Sequence, residues 1–153
     1  MLDNCKNVDY AVLTIQKEVA ERYTAKNNSK QYGITTLALQ LYCTTKICFT
    51  IPPAAFFPRP KVNSAVILLD FTNKDLYKYI DKKGLIELIR SSFSQRRKVL
   101  RNALKSFIAM KNINIEDLQN QLESHRKPYL SMRAEQLTLE DYIFLFSIIF
   151  SNK

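Results

Sequence analysis

The sequence predicts a mixed α/β segment up to residue 72, followed by an all-helical segment over residues 73–153. Two observations carry that division. Three stretches of strand length and strand composition, residues 9–16, 46–51 and 64–71, all lie in the first half. Beyond Phe71 apolar residues recur instead at intervals of three and four, the spacing of helices with one buried face.

Each element follows from its own pattern. Residues 9–16 are almost continuously apolar, which predicts a buried strand of the kind found in parallel sheets. Residues 17–25 turn helical, with Val19, Ala20 and Tyr23 on one side. Residues 27–31 are polar and loop-like, Gly33 punctuates them, and residues 35–42 form a short apolar helix. Residues 46–51 are the second strand and residues 64–71 the third. The segment between them, residues 52–60, holds four prolines and is predicted to be irregular. In the second half, residues 75–80 and 85–93 have helical spacing, with Leu85, Ile89 and Phe93 aligned. Residues 99–108 repeat it more strongly, with Leu100, Ala103, Leu104, Phe107 and Ile108 in one stripe. Residues 115–122 and 138–150 complete the set. Thr138 and Asp141 have capping-box spacing, with Leu137 placed as a hydrophobic staple.

Composition bounds the function. The chain has 153 residues, 46% of them hydrophobic, and a formal net charge of +9. Such an excess of cations suits a polyanion, with nucleic acid first and an anionic membrane surface second. Three cysteines without framework spacing argue against a disulfide scaffold, and the cytoplasm is the expected compartment. One histidine, His125, and no Cys/His cluster argue against a zinc site. His125 reads as solvated, and Cys43 and Cys48 as core residues. The longest apolar run, residues 142–150, is too short to span a membrane.

Two segments stand out as candidate sites. The first runs Ile51-Pro-Pro-Ala-Ala-Phe-Phe-Pro-Arg-Pro-Lys-Val-Asn-Ser64. Prolines stiffen a loop, and a stiff loop holds an aromatic ring outward at little entropic cost. Phe56 or Phe57 would then stack on an unpaired base, with Arg59 and Lys61 beside it for phosphates. The plainer alternative is that one or both rings pack the loop onto the core. The second segment runs Ser92-Phe-Ser-Gln-Arg-Arg-Lys-Val-Leu-Arg-Asn-Ala-Leu-Lys105. On one helix Arg97, Arg101 and Lys105 would share a face, flanked by Arg96 and Lys98, with only Glu87 nearby to offset them. A ridge of one sign repels itself unless an external polyanion relieves it. A solvated face is the plainer reading. Arg133-Ala-Glu135 reads as an interhelical salt-bridge element.

Taken together, these segments resemble the small-subunit ribosomal RNA adenine N6-dimethyltransferase family (KsgA/RsmA type), in its C-terminal portion. The similar pieces are Gln16-Lys-Glu-Val-Ala-Glu-Arg-Tyr-Thr-Ala25, Pro52-Pro53 and Phe56-x-Pro-x-Pro-Lys-Val-x-Ser-Ala-Val66. After them come Phe93-Ser-Gln-Arg-Arg-Lys-Val-Leu-Arg-Asn102 and Arg133-Ala-Glu-Gln-Leu137. The proline-rich motif alone also fits erythromycin-resistance rRNA methyltransferases; the two later pieces point to the housekeeping branch. The resemblance implies the late strands of a Rossmann-like S-adenosylmethionine-dependent methyltransferase sheet, followed by a small helical rRNA-binding domain. The third strand would run antiparallel between the other two. The family transfers methyl groups from S-adenosylmethionine to two adjacent adenines near the 3′ end of small-subunit rRNA, and its target base leaves the stack. By this resemblance Phe56 stacks on the target adenine, Arg59 and Lys61 line the RNA entrance, and Arg96, Arg97, Lys98 and Arg101 grip RNA backbone. The implied partner is small-subunit rRNA or the small-subunit precursor, with no membrane, and a monomer at full length.

Two departures from the family pattern matter. The family's Gly-rich donor loop and its Asn-Leu-Pro-Tyr catalytic element are absent, and the only glycines are Gly33 and Gly84. The chain is therefore expected to bind no cofactor by itself and to be inactive alone, and its first strand is expected to present an open apolar edge. A non-catalytic rRNA-binding or ribosome-assembly factor is the alternative. Family members also often carry a basic residue where this chain has Ile34, after Tyr32-Gly33.

Overall fold

A computed structural model describes residues 7–73, 76–123, 125 and 127–150. The chain divides into two compact units, residues 1–80 and 81–153. The division thus falls past the change of pattern at residue 72.

The first unit is built on β1 (Tyr10–Gln16), β2 (Thr44–Ile51) and β3 (Ser64–Asp70). Strand order is β1-β3-β2, and both pairings are antiparallel. β3 is central because it is apolar on both faces: Ala65, Val66, Ile67 and Leu69 are all buried. α1 (Lys17–Tyr23) and α2 (Ile34–Gln40) cover one face, where Ala20 and Leu39 join Ala65, Ile67, Leu69 and Phe71 in the core. Polar groups tie these helices down. The Thr36 hydroxyl donates to the Arg22 carbonyl at 2.6 Å, and the Thr45 hydroxyl to the Tyr23 carbonyl at 2.8 Å.

Two expectations are corrected here. β1 is not a strand of a parallel interior. It runs antiparallel to β3, and among the described residues it is an edge strand, the open edge that was also expected, with Tyr10 and Val12 58% and 65% exposed. Only Ala11, Leu13 and Ile15 turn toward the helices. Cys43 is buried as expected, but Cys48 is exposed. The register shifts between Ile47, opposite Ile67, and Phe49, opposite Val66. That bulge leaves Cys48 unpaired and sends both Cys48 and Phe49 outward.

The second unit holds α3 (Lys82–Phe93), α4 (Leu100–Ala103), α5 (Lys105–Met110), α6 (Ile115–Glu123) and α7 (Leu139–Phe150). The stripe Leu100, Ala103, Leu104, Phe107 and Ile108 is buried as its periodicity requires. The single helix expected over 99–108 is instead two helices divided at Leu104, and the basic residues before Val99 lie outside both. Residues 76–80 form turns rather than a helix, with i→i−3 bonds from Leu76 to Asn73 and from Ile80 to Tyr77. Leu76 and Tyr79 are 71% and 92% exposed, so no packed face supports a helix there. Position 75 lies outside the described residues. Thr138 and Asp141 do form the capping box of α7.

α3 packs against α7 through a glycine. A Cβ on Gly84 would stand 2.5 Å from Asp81 Oδ2, and 3.0 and 3.1 Å from ring carbons of Phe146. Asp81 caps α3 by accepting from the Gly84 amide at 3.1 Å. Gly→Ala within a helix ordinarily stabilises, by about 0.5–1 kcal/mol. Here the new methyl displaces the cap, a loss of about 1 kcal/mol, and crowds the ring. Gly84→Ala is therefore expected to destabilise the protein by about 1 kcal/mol, read as a lower urea midpoint. A higher midpoint would show that the α3–α7 contact yields freely.

Candidate nucleic-acid interface

The proline-rich loop leaves the sheet at one end, where Ile51 pairs with Ser64 across β2 and β3 and Gln16 of β1 meets the same residue. Pro53–Ala55 make one 3₁₀ turn, with the Ala55 amide bonded to the Pro52 carbonyl at 3.1 Å. The expectation of wholly irregular backbone is corrected to that extent. Proline's fixed φ suits the start of such a turn. The Phe57–Pro58 peptide is cis. Phe56 is half-buried, while Phe57 is fully exposed. The loop thus holds one ring partly against the protein and one in solvent. Arg59 and Lys61 are exposed, and among the described residues neither has a carboxylate partner.

The basic segment lies between α3 and α4 in a tight turn, with the Lys98 amide bonded to the Gln95 carbonyl at 2.8 Å. Val99 forms an isolated antiparallel bridge with Arg133, and the Leu100 amide donates to the Met132 carbonyl at 2.8 Å. Arg96 Nε meets Glu135 Oε2 at 3.1 Å. Arg133-Ala-Glu135 is therefore a salt-bridge element, as expected, but it joins two turns rather than two helices. It changes the charge balance: Arg96 is compensated by Glu135, which sequence reasoning had not paired with it. Glu87, the one offset expected, instead meets Lys111 at 3.1 Å. Arg97 and Lys98 remain exposed and, among the described residues, without an acidic partner. Arg101 stands in α4 and donates to Gln119 Oε1 at 2.8 Å. The helical face shared by Arg97, Arg101 and Lys105 does not form, because Arg97 precedes α4 and Lys105 opens α5.

Sequence reasoning missed two features. Phe57, not Phe56, is the more exposed ring, a distinction that two adjacent phenylalanines cannot signal. Lys127 also binds both oxygens of the buried Asp141, at 2.7 and 2.9 Å. Asp141 had shown itself only as a capping residue. Among the described residues no group of His, Cys, Asp and Glu side chains could hold a metal ion, and no helix is long and apolar enough to cross a membrane.

The architecture defines a class first. It matches the crystal structure of a dimethyladenosine transferase from Plasmodium falciparum with a TM-score of 0.74 and 21% identity, covering 94% of this chain and 57% of that one. It matches the crystal structure of the 23S rRNA methyltransferase ErmE with a TM-score of 0.66 and 13% identity, covering 97% and 57%. The fold is that of the C-terminal part of such methyltransferases. Among curated relatives, the Ribosomal RNA small subunit methyltransferase A of Cytophaga hutchinsonii is 38% identical over 97% of this chain and 53% of its own length. The same-named protein of Clostridium botulinum is 41% identical over 89% and 48%. The Ribosomal RNA adenine dimethylase model matches residues 2–145, and the chain belongs to that family. It spans about half the length of the curated relatives it matches.

Proposed function

We infer that this chain is the RNA-recognition portion of a small-subunit rRNA adenine dimethyltransferase. The whole enzyme would transfer methyl groups from S-adenosylmethionine to two adjacent adenines near the 3′ end of that rRNA, in the cytoplasm, during ribosome assembly. One observation carries the reading: in a member of this family, cations stand exposed and, among the described residues, without acidic partners beside the braced aromatic loop and again in the turn before α4. Phe56 would stack on the displaced adenine and Arg59 and Lys61 would hold flanking phosphates. Arg97 and Lys98 would grip RNA backbone, with Arg101 beside them. Arg96, already turned on Glu135, would act mainly by fixing the shape of that turn.

The residues present do not fit the methyl donor. Gly33 and Gly84 are too far apart for a Gly-x-Gly loop, and Gln16 of β1 runs directly into Lys17 of α1 with no loop between. A second reading, an rRNA-binding or assembly factor without catalysis by these residues, rests on the same exposed cations. Two measurements on the 153-residue chain test these readings. Binding to an rRNA hairpin should fall steeply as salt is raised, with log K linear in log salt; a flat response would overturn the interface. Calorimetric titration with S-adenosylmethionine should give no binding heat. Tight binding would show that the donor site is built from these residues after all.

A further inference from the structure

A second feature of the helical unit lies outside the basic turn. A cleft of about 380 Å³ is lined by Arg101 of α4, by Gln119, Leu122 and Glu123 of α6, by His125, and by residues 127–131. That volume lies within the range of about 300–1,000 Å³ that small-ligand sites occupy. Leu122 and Leu130 supply buried apolar surface. His125 is exposed, and its ring is braced edge-on against Phe144, with centroids 4.5 Å apart at 70°. Phe144 in turn lies 5.4 Å from the ring of Tyr129. The Gln119 amide spans Arg101 at 2.8 Å and Glu123 at 3.1 Å.

Lys127 is joined to Asp141, and Glu123 stands at the far end of the Arg101–Gln119 chain. Among the described lining residues Lys127 is thus offset by a carboxylate, while Arg101 is held by the neutral Gln119 amide. One cation held by an amide at the edge of a cleft suits a single phosphate rather than a run of them. Apolar lining and a braced ring beside it suit a neutral, planar group.

We propose that this cleft seats one unpaired nucleobase of the bound RNA, with His125 as its stacking partner and Arg101 reaching the adjoining phosphate. The proposal rests on the RNA-interface reading above and deepens it: the helical unit would distinguish single-stranded from paired RNA as well as holding backbone. Base stacking on an exposed side chain tolerates any sequence, so recognition here would be of strandedness.

The test compares two labelled RNAs by fluorescence anisotropy: an rRNA hairpin with an unpaired loop, and the same stem as a blunt duplex. His125→Ala is expected to weaken hairpin binding about five- to tenfold and leave duplex binding unchanged. His125→Phe keeps a ring and should retain hairpin affinity. Arg97→Glu with Lys98→Glu should weaken both RNAs by a common factor. Unchanged hairpin binding by His125→Ala, an equal loss on both RNAs, or no rescue by His125→Phe would each overturn the base-seating role alone. If the unsubstituted chain binds neither RNA, the interface and the cleft fall together.

Discussion

Reversing the two exposed cations of the turn before α4, by Arg97→Glu with Lys98→Glu, is expected to weaken rRNA binding roughly a hundredfold at 0.1 M salt. The magnitude follows from counterion release. Each phosphate neutralised contributes about 0.9 to the slope of log K against log salt, so losing two lowers the slope by about 1.8. The slope is the stricter readout, because a merely misfolded protein would lose affinity without a defined change in salt dependence. Misfolding is not expected: both side chains are exposed, and the backbone beside them is held by the Val99–Arg133 bridge and the Leu100 amide. Arg96→Gln offers the contrast. Its partner Glu135 has a side chain 23% exposed and Arg96 one 37% exposed, so their ion pair contributes at most about 1 kcal/mol. The substitution removes a cation already spoken for, and the salt slope should change by much less than with the double reversal. An unaltered slope in the double variant would remove Arg97 and Lys98 from the interface.

The largest effect on stability is expected at Asp141. Its side chain is 7% exposed and accepts four contacts: both oxygens from Lys127, and Oδ2 from the Thr138 amide at 3.0 Å and hydroxyl at 3.2 Å. Tyr129 stands at 3.5 Å, too long to contribute much. Asp141→Ala removes one half of the capping box, about 1 kcal/mol, and charge-assisted hydrogen bonds, about 1.5–3 kcal/mol. A loss of about 3 kcal/mol is expected, read from the urea midpoint; a change under about 1 kcal/mol would show that the network is solvated. The same residue shapes the pH response. Burial pushes its carboxyl up, but the Lys127 ammonium and the Thr138 donors outweigh burial and hold it below its ordinary 3.8. A depressed folded value means the stabilisation is complete above 3.8 and drains away as pH falls through the lower folded value. Lys127 is raised from 10.5 by its hydrogen bond to Asp141, so its share is complete below 10.5 and lost as pH climbs through the higher folded value. In Asp141→Ala both limbs should flatten.

Much of the architecture was legible locally. The three strands and the buried faces of α3 to α7 follow from apolar spacing, because a face that must leave water imposes its period on the chain. The capping box was legible for the same reason: its two members lie three residues apart. The antiparallel place of β3 came from family resemblance rather than periodicity. Errors arose where a contact distant in sequence overrode a local pattern. The apolar run of residues 9–16 read as a buried parallel strand, yet β1 pairs antiparallel with β3 and has half its side chains exposed, in keeping with the open edge the family pattern implied. Cys48 read as core, and a bulge set by its pairing with β3 turned it out. A continuous basic ridge read from i, i+4 spacing dissolved because Arg97 sits in a turn tied to residues 132–136.

The sequence by itself determined the family, the two-part organisation and the presence of two cation-bearing segments, since each is written in neighbouring residues. Tertiary structure decided which of those cations are paired within the protein. Arg96 and Glu135 lie thirty-nine positions apart, and Lys127 and Asp141 fourteen. No local pattern reports such pairings. Electrostatic compensation depends on distance in space, so only the folded chain separates Arg97 and Lys98, exposed and without acidic partners among the described residues, from the cations already held within the protein.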